Sequence, residues 1–139
     1  MLSSAFGFNG GVSAPHRAAA LAGRDVIAAG GSAVEAMVAA AATMAVTYPH
    51  MNGIGGDGFW IIHRSGQAPV AISGCGRAAG LASPDWYADH GVKETLPTRG
   101  ALAALTVPGT IAGWQAALAH CPKGNRLPLS DLLAPAIAL

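Results

Sequence analysis

Residues 33–46, AVEAMVAAAATMAV, are small and apolar around almost the whole circumference of a helix. Ser32 and Glu35 form the Ser-x-x-Glu pattern of a capping box, which predicts that this helix begins directly after Ser32. A helix that is apolar on every side must be buried on every side. Alanine at most positions also lets neighbouring backbones approach closely. The sequence therefore predicts a central helix in a layered fold.

Cap and turn residues mark the other elements. Gly30 and Gly31 are typical of a helix end, and Ser65-Gly66-Gln67 is typical of the turn of a hairpin. Ser83 followed by Pro84 predicts another helix start. From such signals we predict helices over residues 14–29 and 110–120, a short helix that begins at Pro84 and ends before a loop at 90–100, and a last helix capped by Ser130. Extended segments are predicted over 59–64, 68–73 and 103–107.

Only 11% of the 139 residues are charged, whereas 52% are hydrophobic. Globular chains typically carry ~25% charged residues, so little polar material is present to cover a surface. The length suits one domain or part of one, and the final apolar helical stretch has no stop signal. We therefore expect residues 1–139 to be a partial domain of a larger, truncated protein.

The charge pattern and the apolar runs exclude two classes of partner. The net charge is +1 and the basic residues are scattered, whereas a nucleic-acid binder needs a basic face. The longest apolar run, at 36–46, is too short to cross a bilayer. The first residues lack the basic and long apolar regions of a signal peptide, so we expect a cytoplasmic protein, with a periplasmic location left open.

Few residues offer a site for a cofactor or metal. The segment 53–58, GIGGDG, matches the Gly-x-Gly-x-x-Gly pattern, but a dinucleotide site needs a strand before this loop and a helix after it. Here the predicted order is helix, loop, strand, which favours a tight turn. The histidines lack metal-ligand spacing, and Cys75 and Cys121 are expected to be two isolated thiols. We expect neither a cofactor nor a metal.

Arg77 is the most informative charged residue. It follows the predicted hairpin, in a glycine-lined loop, and its planar guanidinium suits a carboxylate ligand. The alternative is a surface arginine, or a structural one that pairs with Asp57 or Asp85. Cys75, two residues earlier, is either a thiol activated by Arg77 or a small residue in a tight loop.

Several motifs resemble the start of the large subunit of γ-glutamyltransferases (glutathione hydrolases). Residues 30–62 are similar to the family's GGNAVDAAVAAA-like helix and PHMSGIGGGGF-like loop and strand. Residues 107–113, VPGTIAG, resemble its VPGTVAG segment, and residues 127–136 resemble its LPW…APAI segment. The similarity covers roughly residues 10–139 in the family's order.

This resemblance implies an α+β fold of the four-layer αββα N-terminal nucleophile hydrolase type, of which this chain is the N-terminal fragment. It implies an autoprocessing enzyme that cleaves γ-glutamyl amides such as glutathione and transfers the γ-glutamyl group to water or amino acids. The nucleophile, an N-terminal Thr that uses its own amine as base, belongs to the small subunit of the same precursor. No catalytic residue therefore lies in this chain, and the resemblance makes Arg77 the candidate ligand of the substrate carboxylate.

Two positions depart from the family pattern. The family carries its carboxylate-binding Arg in a DGRE- or DFRE-like motif, whereas Arg77 lies about two residues later, with no acid after it. This resembles the GSGRAP variant of the acylase-like branch. Asp57 stands where many members have Gly. A glutaryl or cephalosporin acylase thus remains an alternative, as does a non-catalytic helical interaction module, which the alanine-rich composition alone favours.

Overall fold

The computed structural model describes residues 6–104, 106–122, 124 and 126–139. The elements follow in the order α1 (Arg17–Ala28), α2 (Ala33–Thr47), β1 (Phe59–Ile62), β2 (Val70–Ser73), α3 (Pro84–Asp89), α4 (Thr110–Ala119) and α5 (Leu129–Ile137), with a 3₁₀ turn at Ala101–Ala103. The chain is therefore a mixed helix and strand structure. Among the helices of this described part, none is long and apolar enough to pass through a membrane.

Helix α2 occupies the centre of the helical layer, as the sequence predicted. It packs against α1, α5 and α4. The main core joins small residues of α1 and α2 to one large side chain from α4 and one from α5. Its members include Ala22, Val26, Ala36, Val38, Ala39, Trp114 and Leu132. The prediction of burial on every side fails at Met37 and Val46, which are 41% and 46% exposed because no described element covers them.

The predicted capping box at the start of α2 is confirmed, and its acid does more than cap the helix. The Glu35 N–H donates to Ser32 Oγ at 3.3 Å, while Glu35 Oε2 accepts from the Ser32 N–H at 2.7 Å. Glu35 Oε1 accepts from the Leu127 N–H at 2.8 Å, across 92 positions of sequence. The buried Glu35 carboxylate thus ties the segment before α5 to the start of α2.

The environment of Glu35 also shifts its acidity. Burial alone would raise the pKa of Glu35. The hydrogen bonds from Ser32 and from the Leu127 N–H, together with the positive charge of Arg126, lower the pKa by more than burial raises it. The pKa of this carboxyl group therefore lies below its ordinary value, and Glu35 is ionised at neutral pH.

Strands β1 and β2 form the predicted antiparallel hairpin. Phe59 pairs with Ser73 at one end, and Ile62 pairs with Val70 at the other. Because side chains alternate along a strand, the two faces of β1 differ. Trp60 packs against the helical core and Ile62 is buried, whereas Phe59 and Ile61, on the opposite face, are 70% and 83% exposed.

Four predicted boundaries need correction. Helix α1 begins at Arg17 rather than at residue 14, because His16 occupies the N-cap and its Nδ1 accepts from the Ala18 N–H. The strands end earlier at the turn than the predicted segments 59–64 and 68–73. Ser130 does not cap the last helix, since Leu129 is already helical and Pro128, with its fixed φ, precedes it.

The predicted extended segment 103–107 is also mostly wrong. Ala103 closes the 3₁₀ turn, and only Thr106 makes a strand-like bridge, to Ala78. Residue 105 lies outside the described residues. The two cysteines are free thiols, as expected, with Cys75 exposed and Cys121 buried.

Candidate carboxylate-binding site

Three chain segments meet at the end of the hairpin, and we call them together the glycine junction: residues 56–58, 74–77 and 107–110. Gly58 and Gly74 exchange both backbone hydrogen bonds, at 3.3 and 2.7 Å, which continues the hairpin by one pair. The Gly109 N–H donates to the Gly56 carbonyl at 2.9 Å. The junction therefore joins the loop after α2, the loop after β2 and the segment before α4.

Glycine is required at this junction because backbone packs directly against backbone. A Cβ on Gly76 would overlap the backbone of Val107, including its carbonyl oxygen. A Cβ on Gly74 would stand 2.7 Å from the Gly58 carbonyl oxygen, and one on Gly109 would overlap the Gly74 carbonyl group. The three segments can approach this closely only without side chains at these positions.

Thr110, the first residue of α4, fixes the loop after α2. Its N–H and its Oγ1 both donate to the Gly56 carbonyl, at 2.9 and 2.7 Å. Its Oγ1 also lies 3.0 Å from the Asp57 carbonyl oxygen. Since Thr110 is only 7% exposed, these bonds are partly shielded from water, and they anchor residues 56 and 57 to a helix end.

Arg77 leaves the junction with its side chain exposed. Its carbonyl accepts from the Val107 N–H at 3.0 Å, so the backbone at this position is held while the guanidinium stands in solvent. Within the described residues, the only ion pair is Arg24–Asp25. The ion pair of Arg77 with Asp57 or Asp85 is therefore wrong for this structure, whereas the exposed side chain agrees with the surface arginine of the alternative.

Asp57 instead binds backbone. Its Oδ1 accepts from the Gly76 N–H at 3.2 Å, across 19 positions of sequence. The sequence identified Asp57 only as a departure from the family pattern and as an ion-pair partner. A signal was present, because a short acid among glycines is well suited to accept from a nearby backbone N–H, but the sequence does not show which N–H.

The segment 53–58 has the predicted order of helix, loop and strand, so it offers no helix N-terminus to a pyrophosphate. A Cβ added to Gly58 would stand 3.4 Å from Thr110 Cα, which is ordinary van der Waals contact, so close packing does not require glycine there. At Gly53, Gly55 and Gly56 a Cβ would meet open space, so close backbone packing does not explain these glycines either. In the described part of the chain, no three potential metal ligands cluster.

A groove of about 330 Å³ adjoins the junction. Its wall is mostly apolar, with three aromatic residues and one charged group; the lining includes Asn52, Asp57, Phe59, Trp60, Thr110 and Trp114. Arg77 itself is not one of the residues that line this groove. Cys75, in the same loop as Arg77, is exposed.

The fold is similar to that of solved transpeptidases and acylases. Over 97% of this chain and 38% of the other, the structure matches Helicobacter pylori gamma-glutamyltranspeptidase with a TM-score of 0.80 and 31% identity. It matches a cephalosporin acylase from Bacillus halodurans over 86% of this chain and 22% of that one, with a TM-score of 0.76 and 37% identity.

The sequence model described as gamma-glutamyltranspeptidase matches residues 19–139, and the chain belongs to this family. A curated relative, the oxamate amidohydrolase proenzyme of Klebsiella pneumoniae subsp. pneumoniae, is 48% identical over 139 residues. That alignment covers 99% of this chain and 26% of the proenzyme. The chain thus spans about a quarter of the length of the curated relatives it matches.

Proposed function

We propose that this chain is the N-terminal part of an autoprocessing amidohydrolase or transferase that cleaves γ-glutamyl amides such as glutathione. The acyl group passes to water or to an amino acid. The observation that carries this proposal is the continuous family match over residues 19–139, together with a fold that superposes over nearly the whole chain. Similar curated proteins are named as proenzymes, which supports a precursor that is cut into two subunits.

In this proposal the chain supplies one part of a four-layer αββα fold. One face of the hairpin packs on the helices, and the other presents the apolar side chains of Phe59 and Ile61 to solvent. An apolar sheet face favours a second sheet packed against it. The remainder of the precursor would supply that sheet, and with it the N-terminal Thr nucleophile and its amine base.

Arg77 is proposed to bind the substrate carboxylate. Its backbone is held by Val107, its side chain is exposed, and it makes no ion pair with another described residue. A guanidinium can bind a carboxylate through two parallel N–H···O bonds, which Lys cannot reproduce. This chain thus contributes substrate orientation, while the bond-breaking groups lie elsewhere.

The test uses the full-length precursor with Arg77→Ala and Arg77→Lys. Substrates are L-γ-glutamyl-p-nitroanilide and 4-aminobutyryl-p-nitroanilide, which lacks the α-carboxylate. We expect the wild type to prefer the first substrate and both variants to lose that preference. The loss should be about 2–4 kcal/mol, roughly 30- to 1000-fold, mainly in KM if ground and transition states use the contact equally.

Equal slowing of both substrates, or a lower Tm alone, would make Arg77 structural. Residues 1–139 alone serve as a control and should turn over neither substrate. Cleavage of the precursor into two fragments on a denaturing gel tests autoprocessing, and an uncut precursor without activity would favour the interaction module instead.

Two related substrates are second candidates, each with its own observation. The acylase likeness, at 37% identity, favours glutaryl or cephalosporin amides, and the oxamate amidohydrolase relative, at 48%, favours oxamate. Substrates of all three classes contain both an amide and a carboxylate, so Arg77 would bind the carboxylate in each of them. Comparing kcat/KM for γ-glutamyl-p-nitroanilide, glutaryl-p-nitroanilide and oxamate decides between them, and the first should have the highest value.

A further inference from the structure

We propose that Asp57 is a positioning residue for Arg77, and that its carboxylate sets where the guanidinium meets the substrate. This inference rests on the proposed function, because it takes Arg77 as the carboxylate ligand. Its first support is the hydrogen bond from the Gly76 N–H to Asp57 Oδ1, at 3.2 Å. Gly76 directly precedes Arg77, so this bond acts on the backbone that carries the guanidinium.

The loop that carries Arg77 needs such a restraint. Its residues 74–76 are Gly-Cys-Gly, and glycine leaves the backbone with many accessible conformations. The loop is bonded at its start, where Gly74 pairs with Gly58, and at its end, where the Arg77 carbonyl accepts from Val107. Asp57 supplies the bond between these two points.

Asp57 is itself fixed, so that it can restrain another loop. Thr110 binds the Gly56 carbonyl through its N–H and hydroxyl, and its Oγ1 lies 3.0 Å from the Asp57 carbonyl. A continuous set of contacts thus leads from the start of α4, through residues 56 and 57, to Gly76 and Arg77. Each contact is a hydrogen bond or a covalent bond.

The sequence departures agree with this role. Asp57 stands where many family members have Gly, and Arg77 stands about two residues later than their Arg. The structure joins the two departures, because the residue before the displaced Arg is the one that Asp57 binds. Asp57 thereby acts on substrate carboxylate specificity through Arg77, without contact with the substrate.

The experiment compares Asp57→Ala, Asp57→Gly and Asp57→Asn in the full-length protein. The first two remove the acceptor, and Asp57→Gly does so without a new side chain, in case Asp57→Ala does not fold. Asp57→Asn keeps an oxygen that can accept from Gly76 and removes only the charge. Asp85→Ala is the matched control, because Asp85 is an exposed acid that forms no ion pair with Arg77.

The first readout is kinetic. Displacing a binding group by about 1 Å can cost up to 10²-fold, and we expect about a tenfold rise in KM for L-γ-glutamyl-p-nitroanilide in the Ala and Gly variants. Their kcat and their activity on 4-aminobutyryl-p-nitroanilide should stay within about twofold of the wild type, since a purely structural defect lowers both. Asp57→Asn and Asp85→Ala should match the wild type.

The second readout is L-glutamate binding by calorimetry, which does not need turnover. We expect Arg77→Ala to abolish binding and Asp57→Ala to weaken it about tenfold, with Asp57→Asn near the wild type. Wild-type affinity in Asp57→Ala and Asp57→Gly would overturn the positioning role while leaving the proposed function intact, and so would an equal loss in Asp57→Asn. A wild type that does not bind L-glutamate, or binds it as well without Arg77, overturns both.

Discussion

Gly76 has no room for a side chain, which gives the first residue-scale prediction. A Cβ there would overlap the Val107 backbone, and backbone cannot turn aside as a flexible side chain can. We expect Gly76→Ala to destabilise the full-length protein by about 1–3 kcal/mol, the usual cost of overpacking. Gly80→Ala is the control, because a Cβ at Gly80 meets open space.

Thermal melting of the two variants checks this prediction. A lower Tm for Gly76→Ala, with Gly80→Ala near the wild type, supports the close approach of the loop after β2 to the segment before α4. Equal melting of both variants would contradict it.

At the same scale, the sequence predicted Arg77 but not its surroundings. A lone Arg in a glycine-lined loop after a hairpin is visible in the sequence, and this was enough to make it a candidate. The bond between Asp57 and Gly76 depends on how two loops lie beside each other. No local pattern fixes that arrangement, so the choice between an ion pair and a backbone contact needed the structure.

At the scale of elements, Glu35 gives a prediction because its carboxylate accepts hydrogen bonds both at the start of α2 and from the segment before α5. Glu35→Gln places an NH2 group against one of the N–H donors of Ser32 and Leu127, which both need an acceptor. Leaving a buried donor unpaired costs about 1–3 kcal/mol. We expect Tm at pH 7 to fall accordingly, while Glu94→Gln, at an exposed acid, leaves it unchanged.

The pH dependence of stability follows from the lowered pKa of Glu35. The unfolded chain takes up this proton near the ordinary pKa of 4.5, at a higher pH than the folded protein does. The stabilisation is thus complete above pH 4.5 and is lost as the pH falls through the lower native pKa. The Tm difference between wild type and Glu35→Gln should shrink between pH 6 and pH 3, and a constant difference would contradict this account.

The bounds of an element could be predicted where residues close in sequence determine them. The capping box at Ser32 and Glu35 satisfies backbone groups within one helical turn, so the start of α2 was predicted correctly. Ser130 is an equally good capping residue, but Pro128 places the helix start ahead of it. The segment 103–107 failed for another reason, since its single bridge at Thr106 depends on Ala78, far away in sequence.

At the scale of the whole molecule, the low charge content and the exposed sheet face both indicate an apolar surface. Only 11% of the residues are charged, and large apolar side chains such as Phe59 and Ile61 face solvent in this chain. The sequence predicted such a surface from composition alone. Which residues form it depends on the direction that the hairpin faces, and this required the fold.

Ile61 provides the test of whether that sheet face is covered in the complete protein. It is 83% exposed here, and truncating an exposed side chain usually changes stability by within about 0.5 kcal/mol. If a second sheet packs on this face, as the four-layer proposal requires, Ile61→Ala should instead cost the full-length protein about 2–5 kcal/mol. Gln67→Ala, in the exposed turn of the same hairpin, is the control. Denaturant unfolding of the processed protein measures both values, and equal, near-zero changes would mean that this face stays in water and that the second sheet lies elsewhere.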